Sequence, residues 1–407
     1  MPASPRTTED PAARGAGAGP IRQAGLRAHN LALVLGRIAG ADRPPSRADL
    51  AAATGLTRAT VSALADELLR GRLIAEVDPA PRAGAGRPAA GLTLAPDGAA
   101  GLGLEINVDY LAACVLDLTG RVRHREVRDQ DLRPLPAAET LDRLAGLAAA
   151  ARRAATAAGL TLAGATLAVP GLVDPTGLVR WAPNLGWRDV DVPGLLADRV
   201  PGLAVDNEAN LAALAELHAG AAPASFLYVS GEIGVGAGVV LAGALYRGAR
   251  GFGGELGHLP VDPAGRPCRC GSRGCLEQYA GQEAIVAAAG QPPGSTHRLA
   301  ELAGAGDPAA LAALERAGRA LGVATSGAVN LLDVGAVLLG GGYARLAPWL
   351  LPALRTELAA RVVTAGWAPV EARAALLGSD AAVIGAAGSV VRSVLAQPAR
   401  WLARAAA

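Results

Sequence analysis

The apolar positions near the start of the chain recur at helical spacing. Residues 1–25 show no such periodicity and are expected to form a flexible arm. Leu31, Val34, Leu35 and Ile38 then lie three or four residues apart, the spacing that places side chains on one face of a helix. A first helix is therefore predicted directly after the arm.

Two further short helices are predicted after a Pro-Pro break. Ser46 followed by Asp49 resembles a capping box with a shortened acid, and Thr57 is a candidate N-cap of the second of these helices. Gly55 permits a tight turn between the helices, and Gly71 ends the second one. The apolar stripe of that helix consists of Val61, Leu64 and Leu68. Two capped helices joined by a glycine turn predict a helix-turn-helix.

A hairpin is predicted directly after these helices. One strand follows Ile74 and a second strand covers Gly91–Leu94, while Arg82 and Arg87 lie in the Gly- and Pro-rich loop between them. A hairpin whose tip carries arginines is typical of a wing beside a helix-turn-helix. The pattern therefore predicts a winged helix-turn-helix domain over residues 26–98.

From Gly101 onward, short apolar runs alternate with Ala- and Leu-rich stretches. The runs GLGLEINV, YLAACVLDL, ATLAVPG, SFLYVSG, GVVLAG and AVLLGGG predict strands, whereas Ala137–Ala158 and Leu299–Leu332 predict helices. This alternation predicts an α/β domain over residues 99–407. Because a length of about 300 residues exceeds a typical single domain, two lobes with a cleft between them are expected.

Composition excludes several classes of protein. The 407 residues carry 38 cationic and 36 acidic side chains, a formal net charge of +2, and every cation is an arginine. Near-neutrality excludes a histone-like polycation, and the absence of lysine excludes lysine-based catalysis. The chain shows neither a signal peptide nor an unbroken apolar stretch of spanning length, so we expect a cytoplasmic protein with no membrane segment.

The charge is unevenly distributed between the two predicted domains. Residues 1–94 hold 12 arginines against 8 acids, a net charge of +4, whereas the remaining residues hold 26 arginines against 28 acids, a net charge of −2. A basic domain that also has the helix-turn-helix pattern favours DNA as its partner.

The second helix of a helix-turn-helix lies in the major groove, and its N-terminal residues reach base edges. Arg58 can donate two hydrogen bonds to a guanine, neighbouring hydroxyls can contact bases or phosphates, and the hairpin arginines can follow the backbone. The candidate DNA contacts are Ser46, Thr57, Arg58, Thr60 and Ser62 in the helices and Arg82 and Arg87 in the hairpin. The alternative is a small helical bundle with solvated arginines. The agreement of caps, turn, stripe and hairpin in order and spacing favours operator DNA.

Three of the four cysteines lie close together in the chain and predict a metal site. Cys268, Cys270 and Cys275 follow His258, and three thiolates with one imidazole suit a tetrahedral Zn²⁺ ion whose ligands all come from protein, which is a structural site. The alternative is a set of buried free thiols. Cys114 stands alone in an apolar strand and is expected to be a small buried side chain.

Acidic and amide side chains near this cluster are candidates for ligand binding. Glu255 and Glu277 bracket the cluster, and a zinc loop that fixed both carboxylates could direct them at a polyhydroxylated ligand. Asn207, Glu208 and Asn210 follow a predicted strand, where ligand sites of α/β proteins usually lie. The alternatives are a surface acid or a helix cap for each residue.

Taken together, these segments resemble the ROK family of repressors, open reading frames and sugar kinases, and specifically its transcription-factor branch. The resemblance runs from about Leu26 through almost the whole chain. It rests on the motifs LRAHNLALVLGRI, SRADLAAATGLTRATVS, VPG, PNLGW, DNEAN, GELGH, CRCGSRGCLE and LLGGG. The His/Cys loop between its flanking glutamates is the most specific of these motifs.

The resemblance implies an actin-like, ribonuclease H-like, two-lobed domain of the sugar-kinase type with a sugar held between its lobes. By this resemblance the sugar-binding residues are Gly171, Asn184, Asn207, Glu208, Glu255, His258 and Glu277. His258 would then bind zinc through one ring nitrogen and the sugar through the other, so that the metal orients the pocket.

The chain departs from the kinase pattern in its first phosphate motif. Where the family's kinases have Asp-x-Gly-x-Thr, this chain has Glu105, Asn107 and Asp109. Asn107 adds a side chain where backbone must approach phosphate, and Asp109 places a carboxylate where phosphate oxygens would lie. ATP is therefore not expected to bind productively.

Two further departures concern the second phosphate motif and the base. Where kinases have Gly-Thr-Gly, this chain has Glu232, Ile233 and Gly234, and Glu208 replaces the aspartate that takes the proton from the sugar. The extra methylene moves that carboxylate by about 1 Å, a displacement that can lower a rate on the order of 100-fold. Three independent losses favour a sensor over a catalyst.

The leading hypothesis is a sugar-responsive transcriptional regulator, most simply a repressor, that acts as a homodimer or homotetramer and is released from its operator by a sugar or sugar derivative. The alternative from another functional class is an active ATP-dependent sugar kinase with an appended DNA-binding domain. A third hypothesis is a zinc-stabilised scaffold without a ligand.

Overall fold

The computed structural model describes residues 23–78, 90–220, 222–292 and 295–405. Two compact units can be separated by their internal contacts. The first unit combines the described residues up to Leu94 with those from Leu395 onward, and the second unit is Ala95–Val394. The predicted hairpin arginines Arg82 and Arg87 lie outside the described residues.

The helices are α1 (Gln23–Ala39), α2 (Arg47–Thr54), α3 (Arg58–Arg70), α4 (Ala137–Ala157), α5 (Val192–Leu195), α6 (Glu208–His218), α7 (Glu277–Ala280), α8 (Gln282–Ala288), α9 (Thr296–Gly304), α10 (Pro308–Leu332), α11 (Gly342–Arg361), α12 (Ala381–Ala396) and α13 (Pro398–Ala405). The strands are β1 (Ile74–Val77), β2 (Gly91–Leu94), β3 (Ala99–Ile106), β4 (Tyr110–Asp117), β5 (Val122–Asp129), β6 (Thr161–Val169), β7 (Leu172–Val173), β8 (Leu178–Ala182), β9 (Trp187–Asp191), β10 (Ala204–Asn207), β11 (Phe226–Gly231), β12 (Val235–Leu241), β13 (Ala244–Leu245), β14 (Ala336–Gly341) and β15 (Glu371–Ala374).

The predicted caps of the first unit are confirmed. Ser46 Oγ accepts a hydrogen bond from the backbone N–H of Asp49 at 3.2 Å, and the Asp49 carboxylate accepts one from the backbone N–H of Ser46 at 3.0 Å. Gly55 ends α2 in the left-handed region at φ 73°, which a residue with a Cβ adopts only with strain. Thr57 caps α3 by accepting from the N–H of Thr60 at 3.2 Å. The predicted apolar stripe of α3 is buried.

The bounds of two predicted segments differ from the structure. Helix α1 begins at Gln23, inside the predicted arm 1–25. The predicted helix Leu299–Leu332 is divided into α9 and α10, because Asp307 caps a new helix by accepting from the N–H of Ala310 at 2.8 Å and Pro308 occupies its first position.

The C-terminal helix α13 belongs to the first unit, whereas residues 99–407 were predicted to form one domain. The indole Nε1 of Trp401 donates a hydrogen bond to the carbonyl oxygen of Gly71 at 3.0 Å, and α13 also contacts α1. Leu402 packs directly on Gly71, where a Cβ would overlap it. This packing explains why the end of the chain groups with its beginning.

The second unit contains two five-stranded sheets of the same topology. Their orders are β5-β4-β3-β6-β10 and β13-β12-β11-β14-β15, with the first three strands antiparallel and the last three parallel in each. This repeated topology defines a first lobe and a second lobe. Helix α4 covers the sheet of the first lobe, while α10 and α11 pack beside that of the second. The predicted α/β class is confirmed.

Helices α6 and α12 lie between the two sheets. Gly101 and Gly103 of β3 let the backbone of α12 approach so closely that a Cβ at either would overlap it, and Gly385 of α12 approaches Leu211 of α6 in the same way. Among the described residues, one helical segment, Gly378–Ala396, is long and apolar enough to cross a membrane, but 56 % of it is buried inside the structure. Its apolar character therefore serves packing between the sheets.

Candidate functional site: a sugar pocket beside a metal cluster

A cavity of about 80 Å³ lies between the lobes at the ends of their strands. The seven residues that the family resemblance assigned to sugar binding all line it: Gly171, Asn184, Asn207, Glu208, Glu255, His258 and Glu277. They come from distant parts of the chain, and the fold brings them together around one space. We call this space the sugar pocket.

Asn207 organises one wall of the sugar pocket as the N-cap of α6. Its Oδ1 accepts hydrogen bonds from the N–H groups of Ala209 and Asn210 at 2.8 and 3.1 Å. Its Nδ2 donates to the carbonyl of Gly171 at 3.1 Å and to the Glu208 carboxylate at 3.0 Å. Asn207 is thus a helix cap, as the alternative interpretation of the sequence predicted, and it also lines the pocket. Its hydrogen bond to the Glu208 carboxylate fixes the position of that side chain.

Glu277 is held in the opposite wall by the turn that follows β11. Its carboxylate accepts a hydrogen bond from the backbone N–H of Val235 at 3.3 Å. Gly234 lies so close that a Cβ there would overlap the same carboxylate. The glycine is therefore required for Glu277 to face the pocket.

Four carboxyl groups line the pocket, three of them on half-buried side chains and one, that of Glu255, on an exposed one. Burial raises the pKa of Glu208 to about 8, and burial together with repulsion from Asp109 raises the pKa of Glu232 to about 7. Partial desolvation in the pocket also raises the pKa of Glu255, although its side chain is 45% exposed and the neighbouring His258 acts in the opposite direction. A ligand rich in hydroxyl groups can donate hydrogen bonds to these oxygens without bringing a further charge.

The predicted metal ligands form a compact cluster. One donor atom from each of His258, Cys268, Cys270 and Cys275 lies within 4.8 Å of the others. His258 Nδ1 is 3.8 Å from Cys268 Sγ, and the sulfurs of Cys270 and Cys275 are 3.7 Å apart. A tetrahedral zinc ion with bonds near 2.3 Å separates its sulfur ligands by about 3.8 Å. The cluster therefore has the donor set and spacing to hold a metal ion.

His258 connects the cluster to the sugar pocket. Its Nδ1 is directed at Cys268, whereas its Nε2 is 4.0 Å from the carboxylate of Glu255, which lines the pocket. A metal bound at Nδ1 would fix the imidazole and leave Nε2 for the pocket. Cys114 is fully buried in β4, as predicted.

The acids at the kinase-motif positions differ in exposure: Glu105 is buried, Glu232 is half-buried and Asp109 is exposed. Glu105 is buried and accepts a hydrogen bond from the Tyr110 hydroxyl at 2.6 Å; burial raises its pKa to about 8. Glu232 accepts from Asn107 Nδ2 at 3.4 Å in the first lobe and from the backbone N–H of Gly342 at 3.2 Å in the second. The Glu232 carboxylate therefore bridges the lobes and occupies the N-terminus of α11, which is an anion-binding position.

Sequence reasoning treated Glu232 only as a lost motif residue and missed both its bridging role and Tyr110. A single tyrosine at the start of an apolar strand has no spacing signal. The partners of Glu232 lie 125 and 110 residues away in the chain, so only the tertiary structure shows them.

Raised carboxyl pKa values predict a pH-dependent stability. In the folded protein the Glu105 carboxyl group keeps its proton up to about pH 8, whereas in the unfolded chain it releases the proton near pH 4.5. Between these two pH values the free energy of unfolding therefore falls as pH rises, by up to about 1.4 kcal/mol per pH unit. Glu105→Gln removes one such group. We expect the difference in thermal midpoint, variant minus wild type, to become larger as the pH is raised from 5.5 to about 8. Parallel profiles for the two proteins would contradict the prediction.

The candidate DNA contacts lie at the start of α3. Arg58 and Thr57 are exposed, and Thr60 and Ser62 are partly exposed. Ser46 is buried, and its hydroxyl is engaged with Asp49, so its place in the structure is that of a helix cap.

Comparisons with known proteins agree with this architecture. The sequence profile of the ROK family matches residues 101–392. The xylose repressor of Bacillus spizizenii is 30% identical over 363 residues, which cover 86% of this chain and 92% of that protein.

Solved structures show the same fold. A ROK family transcriptional regulator described as a homolog of the E. coli Mlc protein superposes with a TM-score of 0.75 at 24% identity, covering 93% of this chain and 99% of that one. A ROK family glucokinase from Streptomyces griseus, solved with glucose and AMPPNP, has a TM-score of 0.64 at 28% identity and covers 71% of this chain and 98% of its own. This chain belongs to the ROK family.

Proposed function

We propose that this protein is a sugar-responsive transcriptional repressor that binds operator DNA through its first unit and a sugar through the pocket of its second unit. The similarity to xylose repressors over 86% of the chain supports the function as a whole. The observation that carries the proposal is that the seven residues assigned to sugar binding line one pocket, in which the Glu232 carboxylate accepts a hydrogen bond from the first N–H of α11.

The position of Glu232 favours a pocket that binds a sugar without catalysing its phosphorylation. Its carboxylate lies at the N-terminus of α11, where the helix would otherwise offer its free N–H groups to a phosphate. The phosphates of a nucleotide would have to displace the Glu232 carboxylate and would also lie near Asp109. Repulsion between two unit charges about 4 Å apart is on the order of 4 kcal/mol at an effective dielectric of about 20. We infer that the pocket binds a sugar without phosphorylating it.

The zinc ion of the proposal is structural. His258, Cys268, Cys270 and Cys275 would hold it, and it would supply a rigid support for the loop that carries His258 and leads into Glu277. Sugar binding would then favour one arrangement of the lobes. Operator affinity falls if that arrangement is incompatible with two operator half-sites, which a cytoplasmic homodimer or homotetramer would bind together.

Operator binding of the full chain in the presence and absence of sugars tests the proposal. A panel of monosaccharides and disaccharides is screened by thermal shift, and each sugar that stabilises the protein is titrated into a complex with promoter DNA. Release of the DNA is expected. A coupled assay with ATP and the same sugars tests the kinase alternative: turnover that Glu208→Ala abolishes would establish an active kinase.

Arg58→Ala is expected to weaken operator binding by about 1 to 3 kcal/mol and to relax base preference at one position, because a bidentate contact to guanine is lost. Fluorescence anisotropy against operator and scrambled DNA measures both effects. Arg37→Ala, in the last turn of α1, is the matched control. Equal losses for both variants would place the recognition helix elsewhere.

A further inference from the structure

A second cavity, of about 440 Å³, opens beside the sugar pocket. Asn184, Ile233 and Glu277 line both spaces, so the two are direct neighbours. The sugar pocket, at about 80 Å³, is the smaller of the two spaces. The second cavity, which we call the extension cavity, therefore offers room that a single sugar ring does not use.

The charges around the extension cavity balance. Its charged lining residues are Arg266, Arg269, Glu277 and Glu283. Gln278 and Gln291 add amide donors and acceptors. Two positive and two negative side chains with two amides suit a neutral group rich in hydroxyls better than a phosphate or a carboxylate. The apolar part of the lining, which includes Ile233, Ala284 and Val286, provides a surface for the carbon face of a ring.

The two arginines differ in how they are held. Arg266 donates from Nη1 to the carbonyl of Gln278 at 3.0 Å, and its guanidinium lies 5.3 Å from the centre of the Tyr279 ring. Arg269 is exposed and makes no ion pair or hydrogen bond among the described parts of the chain. It lies between Cys268 and Cys270, so a metal bound by both neighbours would fix its backbone. Its guanidinium remains available to a ligand.

The sugar pocket also offers no arginine to a charged ligand. Four glutamates, Glu208, Glu232, Glu255 and Glu277, line it, and its lining contains no arginine. A phosphate on the sugar would therefore find no guanidinium partner there and would be repelled by those of the four side chains that are ionised. Both spaces therefore point to a ligand that is neutral and longer than one sugar ring.

We propose that the effector is a neutral disaccharide whose first ring fills the sugar pocket and whose second ring fills the extension cavity, where the Arg269 guanidinium donates hydrogen bonds to its hydroxyl groups. This inference rests on the proposed function and names the class of its ligand. Because Asn184 and Glu277 line both spaces, the glycosidic linkage between the two rings would lie beside these two residues.

Isothermal titration of the full-length protein tests this inference with glucose, galactose and xylose and with cellobiose, maltose, lactose and xylobiose. We expect at least one disaccharide to bind about 10-fold more tightly than its constituent monosaccharides, since one or two additional net hydrogen bonds are worth about that factor. Arg269→Ala should remove this advantage while changing monosaccharide affinity by less than about 2-fold. Arg273→Ala is the matched control, because Arg273 lies on the same loop but does not line the cavity.

A second variant does not depend on the metal loop. Ala287→Trp places a large side chain in the extension cavity from α8 and should block disaccharides while monosaccharides still bind. The inference would be overturned if disaccharides bound no more tightly than their monosaccharides, or if Arg269→Ala lowered the affinity for both kinds of sugar equally. Either result would leave the proposed repressor function unaffected. If no sugar of either kind binds or releases DNA, the proposed function is wrong as well.

Discussion

Replacing Cys275 by serine is expected to give a protein that binds its operator but no longer responds to sugar. Cys275 is fully buried, and its sulfur is one of the four donor atoms that could hold a metal ion together. Changes in residues that merely support a metal ligand lower affinity or activity by about 10- to 100-fold, so loss of a ligand itself should lower zinc affinity by more than about 100-fold. Without the metal, the loop that carries His258 and leads into Glu277 loses its support, and sugar affinity falls with it.

Zinc content by atomic emission and operator release by anisotropy measure the two parts of this prediction separately. Cys114→Ala is the matched control, because Cys114 is a buried cysteine of β4 outside the cluster. It should keep the metal and the sugar response. A Cys275→Ser protein that lacks zinc but is released by sugar at the wild-type concentration would show that the metal does not support the pocket.

Trp401→Ala is expected to weaken operator binding without touching the residues proposed to contact DNA. The indole is half-buried against the end of α3, donates to the Gly71 carbonyl and neighbours Leu402, which packs on the same glycine. Truncation of a buried tryptophan costs about 3 to 5 kcal/mol, and a half-buried one about half as much. Small domains have net stabilities of about 5 kcal/mol, so the first unit would lose a large part of its stability.

Limited proteolysis and operator titration of the full chain measure this effect. Trp367→Ala is the control, since Trp367 is 74% exposed in the second unit. We expect faster cleavage within the first unit and weaker operator binding for Trp401→Ala only, with unchanged sugar affinity in both variants. Wild-type operator binding by Trp401→Ala would mean that α13 is dispensable for the first unit.

Local signals allowed the helix-turn-helix to be predicted residue by residue. A cap, a left-handed glycine and an apolar stripe each depend on neighbours within a few positions, so Ser46, Gly55 and Val61 could be assigned from spacing alone. The candidate metal ligands were also predicted this way, because three of them lie within eight residues of one another. The strands of the α/β domain followed from their apolar runs.

Non-local features could not be obtained in this way. The residues of the sugar pocket were assigned by family resemblance, because no periodicity links Gly171 to Glu277. The bridge from Glu232 to Gly342 and the packing of Leu402 on Gly71 join residues more than a hundred positions apart. Only tertiary packing brings these partners together. The extension cavity could not be predicted from the sequence either, because its lining residues do not form a single motif.

The discontinuous first unit has a consequence for protein synthesis. Helices α1–α3 leave the ribosome early, but α13, which packs on them, is made only after the whole second unit, Ala95–Val394. Domains generally fold as they emerge, starting from the N-terminus. The first unit is therefore completed last, and a chain truncated within the second unit lacks α13, which packs on α1 and on the end of α3. We therefore expect the first unit to reach its full stability only after the second unit has been synthesised.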